Sequence, residues 1–353
     1  MSPDKPFIRV ENLVKVFHSA RKRRMLGLLP PPPGPTGFVA VDRVSFDVER
    51  GQIFVIMGLS GSGKSTIIRM VNRLIDASDG TITVDGKDVR SLAPAALRDY
   101  RNQTINMVFQ HFGLFPHKSL VDNVSFGLKV RGVDKAAREA KAAEALAIVG
   151  LGDRIHAMPA QLSGGQKQRV GLARALATDA EILLMDEPFS ALDPLIRKDM
   201  QELLIKLQRN FKKTIIFVTH DLNEAMYLGD RIMVMKQGKN IQSGTALDLL
   251  DAPADPYIED FVAEVDRSRV LTAGMIARRS TEAGTSHAAT VLHGSTAARV
   301  AEGTFLHNVL PQLASGAELL EVTDEQGAII GKITAADVFT ALSPSKGSSH
   351  NAA

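Results

Sequence analysis

The chain has 353 residues, of which 44% are hydrophobic and 23% charged, with a formal net charge of +3 and no cysteine. These values suit a folded chain with room for two domains and exclude a disordered or fibrous one. The absence of cysteine excludes disulfides, thiolate zinc sites and cysteine nucleophiles and fits the cytosol, while the small net charge gives no ground for a nucleic-acid partner.

From residue 7 to about 261, short β-branched or apolar runs alternate with longer helical patterns, which predicts an α/β domain around a central sheet. Between Phe17 and Phe38 lies HSARKRRMLGLLPPPPGPTG, whose basic cluster and four consecutive prolines support neither helix nor strand. It reads as a solvated insertion at about 18–38; contact with anionic lipid headgroups is the sharper alternative. The runs 53–57, 105–109, 182–185 and 214–218 are nearly all apolar, as strands covered on both faces should be. Each leads into a polar cluster, and ligands of open α/β sheets gather beyond the C-terminal strand ends. After about residue 265, small residues and Ser/Thr rise, which predicts a separate small module over 265–343 and a disordered tail at 344–353. No run approaches the roughly 20 apolar residues of a membrane helix, and MSPDKPFIRV lacks the apolar core of a signal peptide. Work at a membrane would therefore need a partner that crosses it.

Gly58-Leu59-Ser60-Gly61-Ser62-Gly63-Lys64-Ser65-Thr66 satisfies GxxxxGK[ST], follows the apolar run IFVIM and opens the helical pattern STIIRMVNRLI. Glycines let backbone N–H groups wrap phosphates, and the helix N-terminus adds a favourable dipole. Lys64 is expected to reach the β- and γ-phosphates, and Ser65 to ligate Mg²⁺. ILLMDE ends a buried run in two carboxylates, the Walker B arrangement. There Asp186 would hold the ion and Glu187 would polarise the attacking water. Gln110 and His220 end two further apolar runs and are placed to sense a γ-phosphate, Gln110 through metal or water and His220 by hydrogen bonding. Taken singly, these residues could be a glycine turn, turn caps and ordinary strand-end polar groups; their joint occurrence favours one nucleotide site for ATP and Mg²⁺.

Leu162-Ser163-Gly164-Gly165-Gln166-Lys167-Gln168-Arg169 resembles the signature motif of ABC ATPases. Physically it is a Ser/Gly helix start, a second anion-binding N-terminus. The resemblance implies that Ser163, Gly164, Gly165 and Gln166 face the ATP of a second copy in a head-to-tail dimer. Ser190-Ala191-Leu192-Asp193 looks like the D-loop, placing Asp193 with the nucleotide, and His220-Asp221 looks like the switch histidine and its neighbour. Phe17 matches the family's adenine-stacking aromatic, with Phe38 as rival. A helical subdomain at about 121–178 would complete the ATPase domain of residues 1–264. The segment HFGLFPHKSL after Gln110 is where the family receives the permease, with 111–116 as contact candidates.

IFVIMGLSGSGKST, MVFQHFGLFPH, LSGGQKQRVGLARALA and ILLMDEPFSALDPLIR are more closely similar to the ATPase subunits of importers for glycine betaine, proline and choline. That resemblance implies an ATPase at the cytoplasmic face of the membrane, working with integral permease subunits and a substrate-binding protein. Amino-acid importers for histidine or proline are the alternative. EQGAIIGKITAADVFTAL resembles the end of a CBS repeat, so the C-terminal module is expected to be a partial CBS-like regulatory unit. ABC ATPases that act on nucleic acid or ribosomes usually carry paired ATPase domains, long coiled coils or zinc sites, and this sequence has none of them. A regulator that does not turn over ATP is a further alternative, opposed by Glu187 and His220.

Overall fold

Runs that are apolar at every position need cover on both faces, whereas alternating runs leave one face to solvent. Both kinds occur in the computed structural model, which describes residues 6–18, 37–110, 112–263, 265–282, 298–324 and 326–343. Residues 19–36 of the basic, proline-rich stretch, His111 and the tail at 344–353 lie outside the described residues. The chain divides into two units, Met1–Ser243 and Gly244–Ala353.

In the first unit, Ile8–His18 (β1) and Gly37–Val48 (β2) pair antiparallel, and buried and exposed positions alternate over residues 8–11 of β1 and 43–48 of β2. Ile53–Gly58 (β3) buries all six residues and leads through the glycine loop into Lys64–Val71 (α1). Asp79–Val84 (β4) and Lys87–Asp88 (β5) complete an antiparallel sheet of order β2-β1-β4-β5. Pro94–Asp99 (α2) runs into a π-helical turn at Tyr100–Thr104, then Ile105–Val108 (β6).

Three helices follow: Leu120–Val130 (α3), Lys135–Ile148 (α4) and Gly164–Ala177 (α5). Their starts are set by Ser119, Asp134 and Ser163, whose side chains accept backbone N–H groups of the first turn. The three pack on one another, and Arg131 at the end of α3 donates to the Thr178 carbonyl beyond α5 at 2.8 Å.

Ile182–Asp186 (β7), Pro194–Phe211 (α6), Thr214–Thr219 (β8), Leu222–Leu228 (α7), Arg231–Lys236 (β9) and Lys239–Gly244 (β10) complete a second sheet, order β10-β9-β3-β8-β7-β6. From β9 to β6 all pairs are parallel, so β3, β8, β7 and β6 end on one edge. The four apolar runs of the sequence are these four adjacent strands, and the expected α/β core is present. One continuous core holds Phe54 and Ile56 of β3, Ile216 and Val218 of β8, α1 and the inner face of the antiparallel sheet. Phe46 stacks on Phe54 with ring centroids 5.0 Å apart, which joins the two sheets.

The second unit comprises helices Ala246–Asp251 (α8), Pro256–Val262 (α9), Arg267–Val270 (α10) and Ala273–Glu282 (α11), strand Ala298–Ala301 (β11), helix Leu306–Ala314 (α12), strands Leu319–Thr323 (β12) and Ile329–Thr334 (β13), and helix Ala335–Leu342 (α13). Its sheet pairs β11 with β12 in parallel and β12 with β13 antiparallel, a small α/β arrangement. Arg267 fastens it, pairing with Asp251 at 2.8 Å and donating to the Leu250 and Ala341 carbonyls at 2.6 and 3.1 Å. The stretch likened to the end of a CBS repeat forms β13 and α13, where Thr334 and Asp337 make a capping box.

Candidate nucleotide site

The loop from β3 to α1 needs glycine on steric grounds. Gly58 has φ 147°, and a Cβ there would lie 2.2 Å from the Met235 carbonyl oxygen. Gly63 has φ 101°, and its Cβ would lie 2.4 Å from the Ala40 oxygen. Any side chain would force the loop off β9 or β2. Leu59, Ser60 and Gly61 form an exposed crest, while Ser62 is buried and its Oγ finds no partner. A cradle of glycine backbone with an orphaned hydroxyl is suited to phosphate oxygens. Thr66 is half-buried in the first turn of α1.

Lys64 opens α1 with 3% exposure, and its ammonium donates to the Gly58 and Leu59 carbonyls at 2.7 and 2.9 Å. Burial pushes its pKa down, opposed by the charges of Glu187, 3.9 Å away, and Asp186. Its charge is thus held under the loop that would receive the phosphates. Ser65 donates to the Asp186 carboxylate at 2.6 Å, and Arg69, one turn on, reaches the other oxygen at 3.4 Å. That Arg69 contact was not anticipated from sequence; its one signal is an Arg on the helix that starts at Lys64.

Glu187 follows β7 in the left-handed region, φ 45°, a conformation L-residues adopt only when their surroundings hold it. Three contacts do so. Its N–H donates to the Val218 oxygen of β8 at 3.0 Å, and its own carbonyl accepts from Ser190 Oγ at 3.0 Å. Its Oε2 lies 2.9 Å from His220 Nδ1. Gln110, just past β6, donates from Nε2 to Ser190 Oγ at 3.2 Å. Lys64, Ser65, Gln110, Asp186, Glu187 and His220 thus come from four adjacent strand ends into one cluster, as their positions in the sequence imply.

The remaining expected residues stand apart. Ser163 caps α5 by accepting the Gln166 N–H at 3.3 Å, while Gln166 Oε1 accepts the Ser163 N–H at 3.1 Å. Ser163 and Gly164 are exposed, and among the described residues no hydrogen bond joins 163–166 to 58–66. Asp193 caps α6 through the Ile196 N–H at 3.1 Å. Phe17 and Phe38 are direct cross-strand partners, 43% and 66% exposed, with Lys15 5.1 Å from the Phe17 ring centroid. Both lie two to three positions from Ala40 and Val41 on the β1–β2 pair, the edge against which Gly63 packs.

In the segment after Gln110, Phe112 and Phe115 are half-buried, and Phe115 packs on Phe126 with centroids 4.7 Å apart. Arg174 of α5 donates to the Gly113 and Phe112 carbonyls at 2.6 and 3.4 Å, so the signature helix holds this segment directly.

A profile of the ABC transporter family matches residues 41–190. The glycine betaine/carnitine transport ATP-binding protein GbuA of Listeria monocytogenes is 50% identical over 276 residues, 76% of this chain and 69% of that protein. This chain belongs to the ABC transporter ATP-binding family. The trimethylamine N-oxide transport system ATP-binding protein TmoW of Pelagibacter ubique is 39% identical across 93% of this chain and 95% of its own length, so that likeness extends into the second unit. Among solved structures, a dimeric ATP-binding cassette in a post-hydrolysis state bound to ADP and Pi is 32% identical, with a TM-score of 0.58 over 68% of this chain and 98% of that one. Within this ABC chain, the family match spans the phosphate loop, the signature start and the acidic pair, the elements whose geometry is described above.

Proposed function

We propose that the chain hydrolyses ATP to drive an importer of solutes bearing a trimethylammonium head, such as glycine betaine, choline or trimethylamine N-oxide. The observation that carries this reading is the 50% identity to a glycine betaine/carnitine transport ATP-binding protein across more than two thirds of both chains. Two copies would close head to tail, each ATP lying between the phosphate loop of one and Ser163–Gln166 of the other. The exposed position of Ser163, which among the described residues makes no hydrogen bond to the chain's own phosphate loop, fits that arrangement. Integral permease subunits and a substrate-binding protein would complete the assembly at the cytoplasmic face of the membrane, the permease meeting the segment after Gln110.

Lys64 supplies the buried positive charge for the β- and γ-phosphates, and the backbone of 58–66 supplies their N–H donors. The Ser65 hydroxyl and the Asp186 carboxylate lie 2.6 Å apart at the helix start, a pair of hard oxygen donors that suits Mg²⁺ shared with phosphate. Ser65, Asp186 and Gln110 would hold that ion, which when bound neutralises charge on the phosphate oxygens. Glu187, held by Val218, Ser190 and His220, accepts the proton of the attacking water. With Glu187 ionised, His220 Nδ1 carries the hydrogen of their bond; with both ring nitrogens protonated, Nε2 is free to donate to a γ-phosphate oxygen. One of Phe17 and Phe38 would stack on adenine.

Proteoliposomes containing the assembled transporter test the substrate reading. Expected is ATP-dependent uptake of radiolabelled glycine betaine, competed by choline or trimethylamine N-oxide and unaffected by excess histidine. Uptake of an amino acid that trimethylammonium solutes do not compete would overturn it.

A further inference from the structure

Arg197 lies four residues beyond the D-loop that ends at Asp193, yet it joins two loops of the candidate site. It sits in the first turns of α6, its N–H donating to the Asp193 carbonyl at 2.9 Å. Its guanidinium Nη1 pairs with Asp221 Oδ2 at 3.1 Å, and Nη2 donates to the Leu192 carbonyl at 3.2 Å. Arg197 and Asp221 are each about two thirds covered, with side-chain exposures of 29% and 32%. Asp221 itself is fixed: its Oδ1 caps α7 by accepting the Glu224 N–H at 3.1 Å, and its own N–H donates to Thr219 Oγ1 at 3.0 Å.

These contacts close a ring through Glu187. One path leaves through its carboxylate to His220 and on to Asp221, the next residue. The other leaves through its carbonyl to Ser190 and along the D-loop to Leu192. Arg197 connects the far ends of both. A planar fork with separate Nη donors suits two acceptors on different loops better than an ammonium, whose three N–H bonds radiate from one atom.

We propose that Arg197 is a positioning residue for hydrolysis, locking the D-loop to the residue after the switch histidine so that His220 meets Glu187 only while 190–193 keeps its shape. A second copy pressing on the D-loop would thereby act on the alignment of Glu187, without any contact of its own to the carboxylate. This proposal rests on the ATPase reading of the site.

The test compares steady-state hydrolysis and equilibrium nucleotide binding in the assembled transporter for the parent chain, Arg197→Met, Arg197→Lys, Asp221→Asn and the Arg197→Met/Asp221→Asn double variant. Asparagine retains the cap of α7 and removes the charge. Expected for Arg197→Met is a kcat at least about tenfold lower, since small misplacement of a reacting group costs up to about a hundredfold, with Kd for ATP within about twofold of the parent. Arg197→Lys recovers part of the loss, Asp221→Asn falls in the same direction, and the double variant is no slower than Arg197→Met. Parent-level kcat in Arg197→Met, a Kd that weakens in step with kcat, or losses that multiply in the double variant would overturn the proposal. Should Arg197→Met not fold, Arg197→Lys and Asp221→Asn decide it on the same readings. A parent chain without hydrolysis would instead count against the ATPase reading itself.

Discussion

Replacing Glu187 by glutamine lowers kcat for ATP hydrolysis by about 10²- to 10⁴-fold, the range expected when a general base is removed, and leaves ATP affinity within about twofold. Glutamine has the same shape, and its amide oxygen still accepts from His220 Nδ1, so the strained turn at Glu187 and its bonds to Val218 and Ser190 persist. What is lost is the ability to take the proton of the attacking water. A negative charge 3.9 Å from Lys64 is also lost, which does not weaken the attraction of Lys64 for phosphate. Single-turnover hydrolysis and equilibrium binding of a fluorescent ATP analogue separate the two effects. A parallel fall in affinity and rate would move Glu187 from chemistry to binding.

Lys64→Ala is expected to fail earlier, at binding. The ammonium is buried, bonded to two carbonyls of the loop it underlies, and close to both acids of the site. Alanine leaves the Gly58 and Leu59 carbonyls without that donor and removes the only cation buried beneath the phosphate loop among the described residues. Charge-assisted hydrogen bonds contribute about 1.5–3 kcal/mol each, so ATP should bind about ten- to a hundredfold more weakly and kcat/KM should fall by at least that factor. Arginine does not substitute, because a larger planar head cannot enter the space of a 3%-exposed ammonium. Isothermal titration checks the affinity; unchanged binding in Lys64→Ala would contradict the phosphate role.

Most of the candidate nucleotide site was legible in the sequence because its parts are local. A glycine loop between an apolar run and a helical pattern, and two carboxylates ending another run, carry their geometry within a few residues. The four apolar strands then place Lys64, Gln110, Glu187 and His220 on one sheet edge by parallel pairing alone. Contacts that cross the fold left no such trace. Arg197 meets Asp221 across 24 positions, and Arg69 meets Asp186 across 117, each pairing set by how a helix packs and not by any spacing. The aromatic ambiguity has a physical origin too: Phe17 and Phe38 close the same antiparallel pair, so both occupy the same exposed end of it. Gly165 of the signature illustrates the reverse case, a motif residue with a second structural duty. A Cβ at Gly165 would lie 2.4 Å from Ile196 Cγ2, so close packing of α5 on the start of α6 requires it even without nucleotide.

In the proposed dimer each copy holds half of a shared ATP site. Its most direct test is the mass in solution of the Glu187→Gln chain, measured by light scattering with saturating ATP and Mg²⁺, with ADP, and with ATP after the further change Ser163→Arg. A doubled mass is expected only in the first condition, because only there are an intact phosphate loop, a retained γ-phosphate and an open signature start all present. A doubled mass that persists in Ser163→Arg, or a single mass with ATP, would contradict it.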